Sequence, residues 1–157
     1  MADQKKGTLD DATIEREREW NARVDWFLQS LVEMVNSSAM SFGVTLSVGG
    51  VLVSGELVGG QHYFEGFGAE FTQNFSDEKA AKGAKESFAK MGEIYRKGGN
   101  DATASGTGTA SGPSYIHLRN ARFFQANGTP VPNNKGIWWR GKLSAVDGFT
   151  LGMLKAE

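Results

Sequence analysis

The two histidines of this 157-residue chain are the only side chains that ordinarily titrate near neutral pH, and they are the first candidates for chemistry. His62 is followed by Glu65, a spacing that places two metal ligands on one face of a helix. His117 could complete a three-ligand zinc site. Nothing in the spacing requires such a site, and a partly buried histidine on a strand is the simpler interpretation of His117. We therefore predict no metal site.

The other patterns of enzyme chemistry are incomplete in this chain. No serine lies in the G-x-S-x-G turn that exposes a nucleophile. The segments 66–68 and 106–108 lack the third glycine and the strand–turn–helix setting of a phosphate-binding loop. Asp147 could act as a carboxylate base, but the C-terminal β region has no second carboxylate except that of Glu157. We predict no catalytic residue, no cofactor and no enzymatic activity.

One predicted strand near the C-terminus, IWWRGK at 137–142, is the best candidate for contact with a partner. Adjacent strand residues point to opposite faces, so one tryptophan can lie in the core while the other lies at a surface. Arg140 shares a face with Trp138, which allows stacking or an anion contact, although packing within the fold is the other interpretation. The candidate interaction surface comprises Trp138, Trp139, Arg140, Lys142, Arg119 and Arg122.

Two regular elements are predicted in the N-terminal third, after a flexible segment 1–9. A helix is expected over residues 10–36, because Asp10 and Asp11 can cap its first turn and apolar residues recur at helical spacing. A β-hairpin is expected over 42–58, because residues alternate with period two on both sides of two adjacent glycines. The predicted buried stripe of the helix comprises Trp20, Val24, Phe27, Leu28, Leu31 and Val35.

The remaining chain is predicted to form a helical insertion, a mobile loop and a second β region. The insertion spans 61–98 and has a break near Ser76, and its phenylalanines at spacings of three and four are expected to pack in the core. Residues 99–113 form a Gly/Ser/Thr-rich loop with no large apolar side chain to bury. Residues 114–155 are expected to form a three-stranded β meander with a bulge near Asn120.

The composition indicates one globular domain that spans residues 1–157. Hydrophobic residues make up 39% of the chain and charged residues 22%, with a net charge of −1 and no cysteine. Disulfides and thiolate metal sites are thereby excluded, and no overall field favours nucleic acid or anionic membranes. The first twenty residues contain no apolar run, so we expect no secretory signal and a cytoplasmic location.

Charge is distributed unevenly between the two ends of the chain. Residues 1–36 carry five basic and eight acidic side chains (−3), whereas residues 114–157 carry six basic and two acidic ones (+4). The basic β region could bind an anionic partner. It could also face the acidic helix of the same or a neighbouring molecule, which is the interpretation we favour.

Four stretches resemble the gas vesicle accessory protein U family in order and spacing. They are the hairpin VTLSVGGVLVSG (44–55), YFE (63–65), YIHLRNA (115–121) and WRGKLSAVDGFTLG (139–152). The resemblance covers about residues 40–155 apart from the Gly/Ser-rich loop, and the last stretch is the most specific. It implies a small cytoplasmic protein without catalytic residues, which associates with itself and promotes clustering of gas vesicles.

A second resemblance, to Sm-like RNA-binding barrels, concerns the fold. Such barrels begin with a helix that precedes a bent five-stranded antiparallel sheet, and the G-x-L and R-G steps of their second and fourth strands correspond to residues 55–57 and 140–141. Gln61 and Glu65 stand where that family has the Asp and Asn that contact RNA. The resemblance implies the barrel more than the RNA binding.

We therefore expect an α+β fold with an N-terminal helix, a five-stranded antiparallel, partly open small β-barrel, and a helical insertion between strands 2 and 3. The predicted function is that of a non-enzymatic gas vesicle accessory protein that self-associates and promotes clustering, and an Sm-like nucleic-acid-binding module is the alternative. Expected partners are further copies of the chain and gas vesicle shell proteins, with neither a membrane nor nucleic acid among them.

Overall fold

The order of helices and strands follows from a computed structural model that describes residues 10–98 and 112–155. The predicted flexible segment 1–9 and almost all of the predicted loop 99–113 lie outside these residues. The elements are α1 (Asp11–Arg23), α2 (Trp26–Ser37), β1 (Phe42–Val48), β2 (Val51–Val58), α3 (Gly60–Thr72), α4 (Glu78–Gly92), a 3-10 helix (Glu93–Gly98), β3 (Tyr115–Phe124), β4 (Pro130–Val131), β5 (Ile137–Lys142), a short 3-10 turn (Leu143–Ala145) and β6 (Gly148–Leu151).

The strands form one open antiparallel sheet in the order β4-β3-β2-β1-β6, and β5 pairs with β3 beside β4. The mixed helix-and-sheet class is confirmed, but the predicted count of five strands is wrong. The sixth strand, β4, arises because the chain turns back after Phe124 and Pro130 then pairs with that residue. Curvature of this sheet into a partly open small barrel stays a prediction, since the pairing establishes strand order alone.

The last strand does not continue a meander, so the predicted three-stranded meander is wrong. The 3-10 turn at 143–145 redirects the chain, and β6 pairs with β1 instead of β5, with Leu151 opposite Val44. The Asp147 amide donates a hydrogen bond to the Ser47 carbonyl at 2.8 Å, and the Asp147 carboxylate accepts one from the Gly49 amide at 3.0 Å. These two bonds hold the start of β6 against the β1–β2 turn.

The β1–β2 hairpin lies where the glycine pair predicts it. Gly49 and Gly50 have φ angles of +57° and +82°, which suit a primed two-residue turn, and Val48 is opposite Val51. The expected irregularity near Asn120 is confirmed as well, because this residue has a φ of +54° and the β3–β5 register shifts around it. Both features depend on local backbone geometry.

The predicted N-terminal helix over 10–36 is in fact two helices, α1 and α2, separated at Asp25. This residue has extended backbone angles, and its carboxylate accepts hydrogen bonds from the amides of Phe27 at 2.8 Å and Leu28 at 3.4 Å. The aspartate therefore begins a new helix by satisfying amides that would otherwise lack partners. A carboxylate at this position also interacts favourably with the helix dipole.

Removal of the Asp25 cap should destabilise the fold. We expect Asp25→Ala to lower the free energy of unfolding by about 1 kcal/mol, because two α2 amides lose their acceptor. Asp25→Asn is the matched control, since an asparagine oxygen can accept the same bonds, and it should retain most of the stability. Urea unfolding followed by circular dichroism measures both, and equal losses in the two variants would contradict the capping role.

One face of the sheet packs against α2 to form the main hydrophobic core. Val24, Leu28 and Val35 of the predicted stripe are buried, whereas Phe27 is exposed. The restart at Asp25 also places Val32, which was not in the predicted stripe, in the core. The predicted burial of Phe27 is therefore wrong, and the side chain of Trp20 is not among those described. The sheet contributes Val44, Leu46, Val53, Leu57, Ile116, Leu118 and Ala121 to this core, and Leu143 closes it.

Helices α3 and α4 lie between β2 and β3 in the chain, and α3 contacts β3 and β5. The break between the two helices falls near Ser76, as predicted. It arises because the Asp77 carboxylate caps α4 by accepting hydrogen bonds from the amides of Lys79 and Ala80. The phenylalanines of α3 were expected in the core, and two of the row, Phe71 and Phe75, are exposed instead. Their rings contact one another at 5.6 Å between centroids, at the end of α3.

Candidate functional site

The two tryptophans of β5 lie on opposite faces of the sheet. Trp139 packs against the hydrophobic core, and its ring lies so close to Gly141 that a Cβ on this glycine would be 2.2 Å from the ring. Trp138 points to the other face and covers Gly66 of α3, where a Cβ would be 1.9 Å from the indole. The indole of Trp138 also lies 5.7 Å from the His62 ring. Both tryptophans therefore make contacts within the chain.

Arg140 is the centre of a cluster beneath α3. Its Nη1 donates hydrogen bonds to the Tyr95 hydroxyl at 2.9 Å and to His117 Nε2 at 2.5 Å. Its guanidinium lies 3.7 Å from the Tyr115 ring centroid and 5.6 Å from that of Phe64. The guanidinium therefore makes cation–π contacts with two aromatic rings and hydrogen bonds with two polar acceptors. This arrangement stabilises a partly buried positive charge.

His117 is fully buried in this cluster. Burial, reinforced by the positive charge of Arg140, lowers the pKa of His117 from its ordinary 6.5 to about 3. The imidazole is therefore neutral at physiological pH and accepts the Arg140 hydrogen bond through Nε2. Tyr63 packs 4.8 Å from the imidazole centroid and Tyr95 5.2 Å from it, and burial raises the pKa of the Tyr63 phenol.

Arg119 is paired with Glu56 across β2 and β3. Arg119 Nη2 donates to Glu56 Oε1 at 2.6 Å and Nε donates to Oε2 at 3.1 Å, a bidentate geometry. These bonds, and then the bond from the Ser41 hydroxyl, lower the pKa of the Glu56 carboxyl. Arg119 Nη1 also lies 3.1 Å from His62 Nε2. The guanidinium therefore joins two elements of the fold at a surface that is partly exposed.

The remaining two candidates differ in exposure. Arg122 Nη2 donates to the Asn134 carbonyl at 2.9 Å and so holds the loop before β5, whereas Lys142 is exposed. The structure thus brings Arg140 and Trp138 to the α3 side, Trp139 to the core side, and Arg119 to the Glu56 pair. Contact of the six residues with a partner stays a prediction.

The histidines that could have held a metal are each engaged with a different arginine, His62 with Arg119 and His117 with Arg140. Among residues 10–98 and 112–155, no three side chains of metal-binding type lie close enough to share an ion. A cleft of about 650 Å³ lies beside His62, between the α2–β1 connection and the start of α3. Its lining combines polar and apolar side chains with charges of both signs, and Glu65 within it accepts a hydrogen bond from Gln61 at 2.9 Å.

An exposed aromatic patch on the α2 side of the sheet is the feature that the sequence analysis missed. It consists of Trp26, Phe27 and Phe149, with ring centroids 5.8 Å apart for the first two and 5.7 Å apart for the last two. Trp26 is 76% exposed and Phe27 is 51% exposed. The signal that could have revealed the patch is Asp25, because a cap there starts a helix whose buried stripe excludes both residues.

None of the helices in the described ranges combines the length and the hydropathy that a bilayer span requires. No curated protein and no solved structure matches the chain significantly. A family model described as gas vesicle protein GvpU-like matches residues 25–154, which include α2 and all six strands. The resemblance noted from the hairpin and from the 139–152 stretch is thereby confirmed: the chain belongs to the GvpU-like family of gas vesicle proteins.

Proposed function

We propose that the protein is a non-enzymatic gas vesicle accessory protein that associates with itself and, by binding shell proteins as well, promotes clustering of gas vesicles in the cytoplasm. The observation that carries the proposal is the exposed aromatic patch. Large aromatic side chains are enriched at the centres of protein interfaces, where they bury much surface at a small entropic cost. A tryptophan that is 76% exposed beside a half-exposed phenylalanine therefore supports a role in contact between macromolecules.

Clustering requires that each copy offer more than one contact, because a single self-complementary site gives closed dimers only. The pair of exposed phenylalanines at the end of α3, Phe71 and Phe75, supplies a second apolar site on a different element. Two weak sites per copy allow extended, multivalent assemblies. Their combination supports clustering in preference to simple dimer formation.

The contacts of three of the four cationic residues in the candidate interaction surface count against the nucleic-acid alternative. Arg119 is committed to Glu56, Arg140 to the buried cluster and Arg122 to a backbone carbonyl. Electrostatic binding to phosphates needs several cations that face solvent together. No observation favours this alternative, and the three arginines of the basic C-terminal region make contacts within the fold.

Replacement of the aromatic patch should weaken self-association. We expect the double variant Trp26→Ser, Phe27→Ser to need at least about tenfold more protein than the wild type to reach the same degree of association, because it removes the two most exposed rings of the aromatic patch. Light scattering across salt concentrations measures association, and sedimentation of purified gas vesicles with added protein measures clustering. Met91→Ser, at another exposed apolar residue, is the matched control and should behave as the wild type.

Two results would contradict the proposal. One is a wild-type protein that stays strictly monomeric at every salt concentration and leaves vesicles dispersed. The other is a double variant that associates and clusters vesicles as well as the wild type does.

A further inference from the structure

Strand β6 leaves one edge of the sheet open. In the part of the chain that the structure describes, β6 pairs with β1 alone, and the strand order ends there. An edge strand presents backbone donors and acceptors that can pair with another strand. The occupant that such an edge selects is therefore an extended segment.

The register shows which groups of β6 face the open side. The Gly152 amide donates to the Gly43 carbonyl at 2.8 Å, so residue 152 faces β1, and so does Thr150 two positions earlier. In an antiparallel ladder, the residues between these face the opposite way. The backbone N–H and C=O groups of Phe149 and Leu151 therefore point away from the sheet.

The two edges of the sheet differ in how they are protected. On the far edge, β4 and the following residue contain Pro130 and Pro132, and β5 carries Arg140 and Lys142. Prolines and charges are the usual devices that prevent unwanted strand pairing. The β6 edge has neither: residues 148–154 contain no proline and no charge. Leu151 on this strand is 68% exposed.

We propose that β6 pairs antiparallel with β6 of a second copy, around a two-fold axis at Thr150. In this register the outward-facing Phe149 of each copy exchanges hydrogen bonds with Leu151 of the other, and Thr150 lies opposite Thr150. Two apolar pairs and a threonine pair are favourable cross-strand neighbours, and no like charges meet. The inference rests on the proposed self-association and assigns it a surface.

The uncharged edge is what selects a second copy as the occupant. A symmetric pairing places Thr150 opposite its own counterpart and places Phe149 and Leu151 diagonally across from theirs, so a charge at any of these three positions would lie near a like charge. The aromatic patch is continuous with the same edge, because Phe27 packs on Phe149 and Leu151 lies on the same face of β6 as Phe149. Pairing would place the patches of two copies side by side.

A charge exchange at the two-fold axis tests the register. Thr150 is exposed, and its replacement by lysine or glutamate puts like charges opposite each other in the proposed pair. We expect Thr150→Lys and Thr150→Glu each to weaken self-association at least about tenfold relative to the wild type. An equimolar mixture of the two variants should restore association, because unlike charges then face each other.

The matched controls are charge substitutions on the far edge of the sheet, and a proline substitution in β6 provides a second, independent test of the pairing. Val131→Lys and Val131→Glu, at an exposed residue of β4, should associate as the wild type does. Leu151→Pro removes an outward-facing amide and leaves the bonds to β1 in place, so it should weaken association in the same way as the charges do. Circular dichroism checks that each variant is folded, and a Thr150 variant that fails to fold leaves Leu151→Pro to decide.

The outcomes separate this inference from the proposed function. A wild type that associates, together with folded Thr150 and Leu151 variants that associate equally well, would overturn the β6 pairing and leave the function intact. Loss in both charge variants without recovery in the mixture would overturn the two-fold register. A monomeric wild type would overturn the function and this inference together.

Discussion

Gly60→Ala should lower the free energy of unfolding by about 2–3 kcal/mol, an overpacking effect at the start of α3. A Cβ at this position would lie 2.3 Å from the Tyr95 ring. The ring is 1% exposed and is held by the hydrogen bond from Arg140 and by contact with His117. The tyrosine cannot move without disturbing the whole cluster, so the added methyl group must displace α3 or the 3-10 helix that follows α4.

Gly83→Ala is the matched control for this prediction. Gly83 also lies in a helix, α4, but nothing lies within 4 Å of the position that its Cβ would occupy. Alanine favours a helix over glycine by about 1 kcal/mol, so this variant should be more stable than the wild type. Urea unfolding measures the two effects, and a change of the same sign in both variants would contradict the packing argument.

Acidification should destabilise the protein well above the pH at which carboxylates begin to protonate. The pKa of His117 is about 3 in the folded chain against 6.5 in an unfolded one. Below pH 6.5 the unfolded state takes up a proton that the folded state does not, so stability falls as the pH falls from 6.5 toward 3. Between about pH 7.5 and about pH 5 we expect a loss of roughly 2 kcal/mol from this residue.

The variant His117→Gln isolates that effect. Glutamine can accept the Arg140 hydrogen bond but does not titrate, so the decrease in stability between neutral pH and about pH 5 should be smaller by the same roughly 2 kcal/mol. Glu56 contributes at lower pH, because its depressed pKa stabilises the fold above 4.5 and that contribution is lost on further acidification. Urea unfolding at a series of pH values measures the profiles, and equal slopes for wild type and variant would refute the assignment to His117.

The tryptophans and the arginine of β5 (Ile137–Lys142) are explained by contacts within the fold. Trp139 packs in the core on one face of the sheet. On the other face, Trp138 packs against Gly66 of α3, and Arg140 donates a hydrogen bond to Tyr95 of the 3-10 helix. One strand therefore makes contacts on both faces of the sheet, with the core on the α2 side and with α3 and the 3-10 helix on the other side. This structural use leaves the aromatic patch at Trp26, the β6 edge, and the exposed pair Phe71 and Phe75 as the places where we propose that copies meet.

Several local features, the family and the absence of cysteine chemistry follow from the sequence alone. The hairpin at Gly49-Gly50, the helix break near Ser76 and the irregularity at Asn120 were predictable because each depends on a few neighbouring residues. Which strands are neighbours depends on the folded chain as a whole, because β6 pairs with a strand about a hundred residues earlier. Likewise the cluster of Tyr95, His117 and Arg140 exists only after the sheet and the 3-10 helix at 93–98 have packed, since no spacing in the sequence encodes contacts between these distant elements.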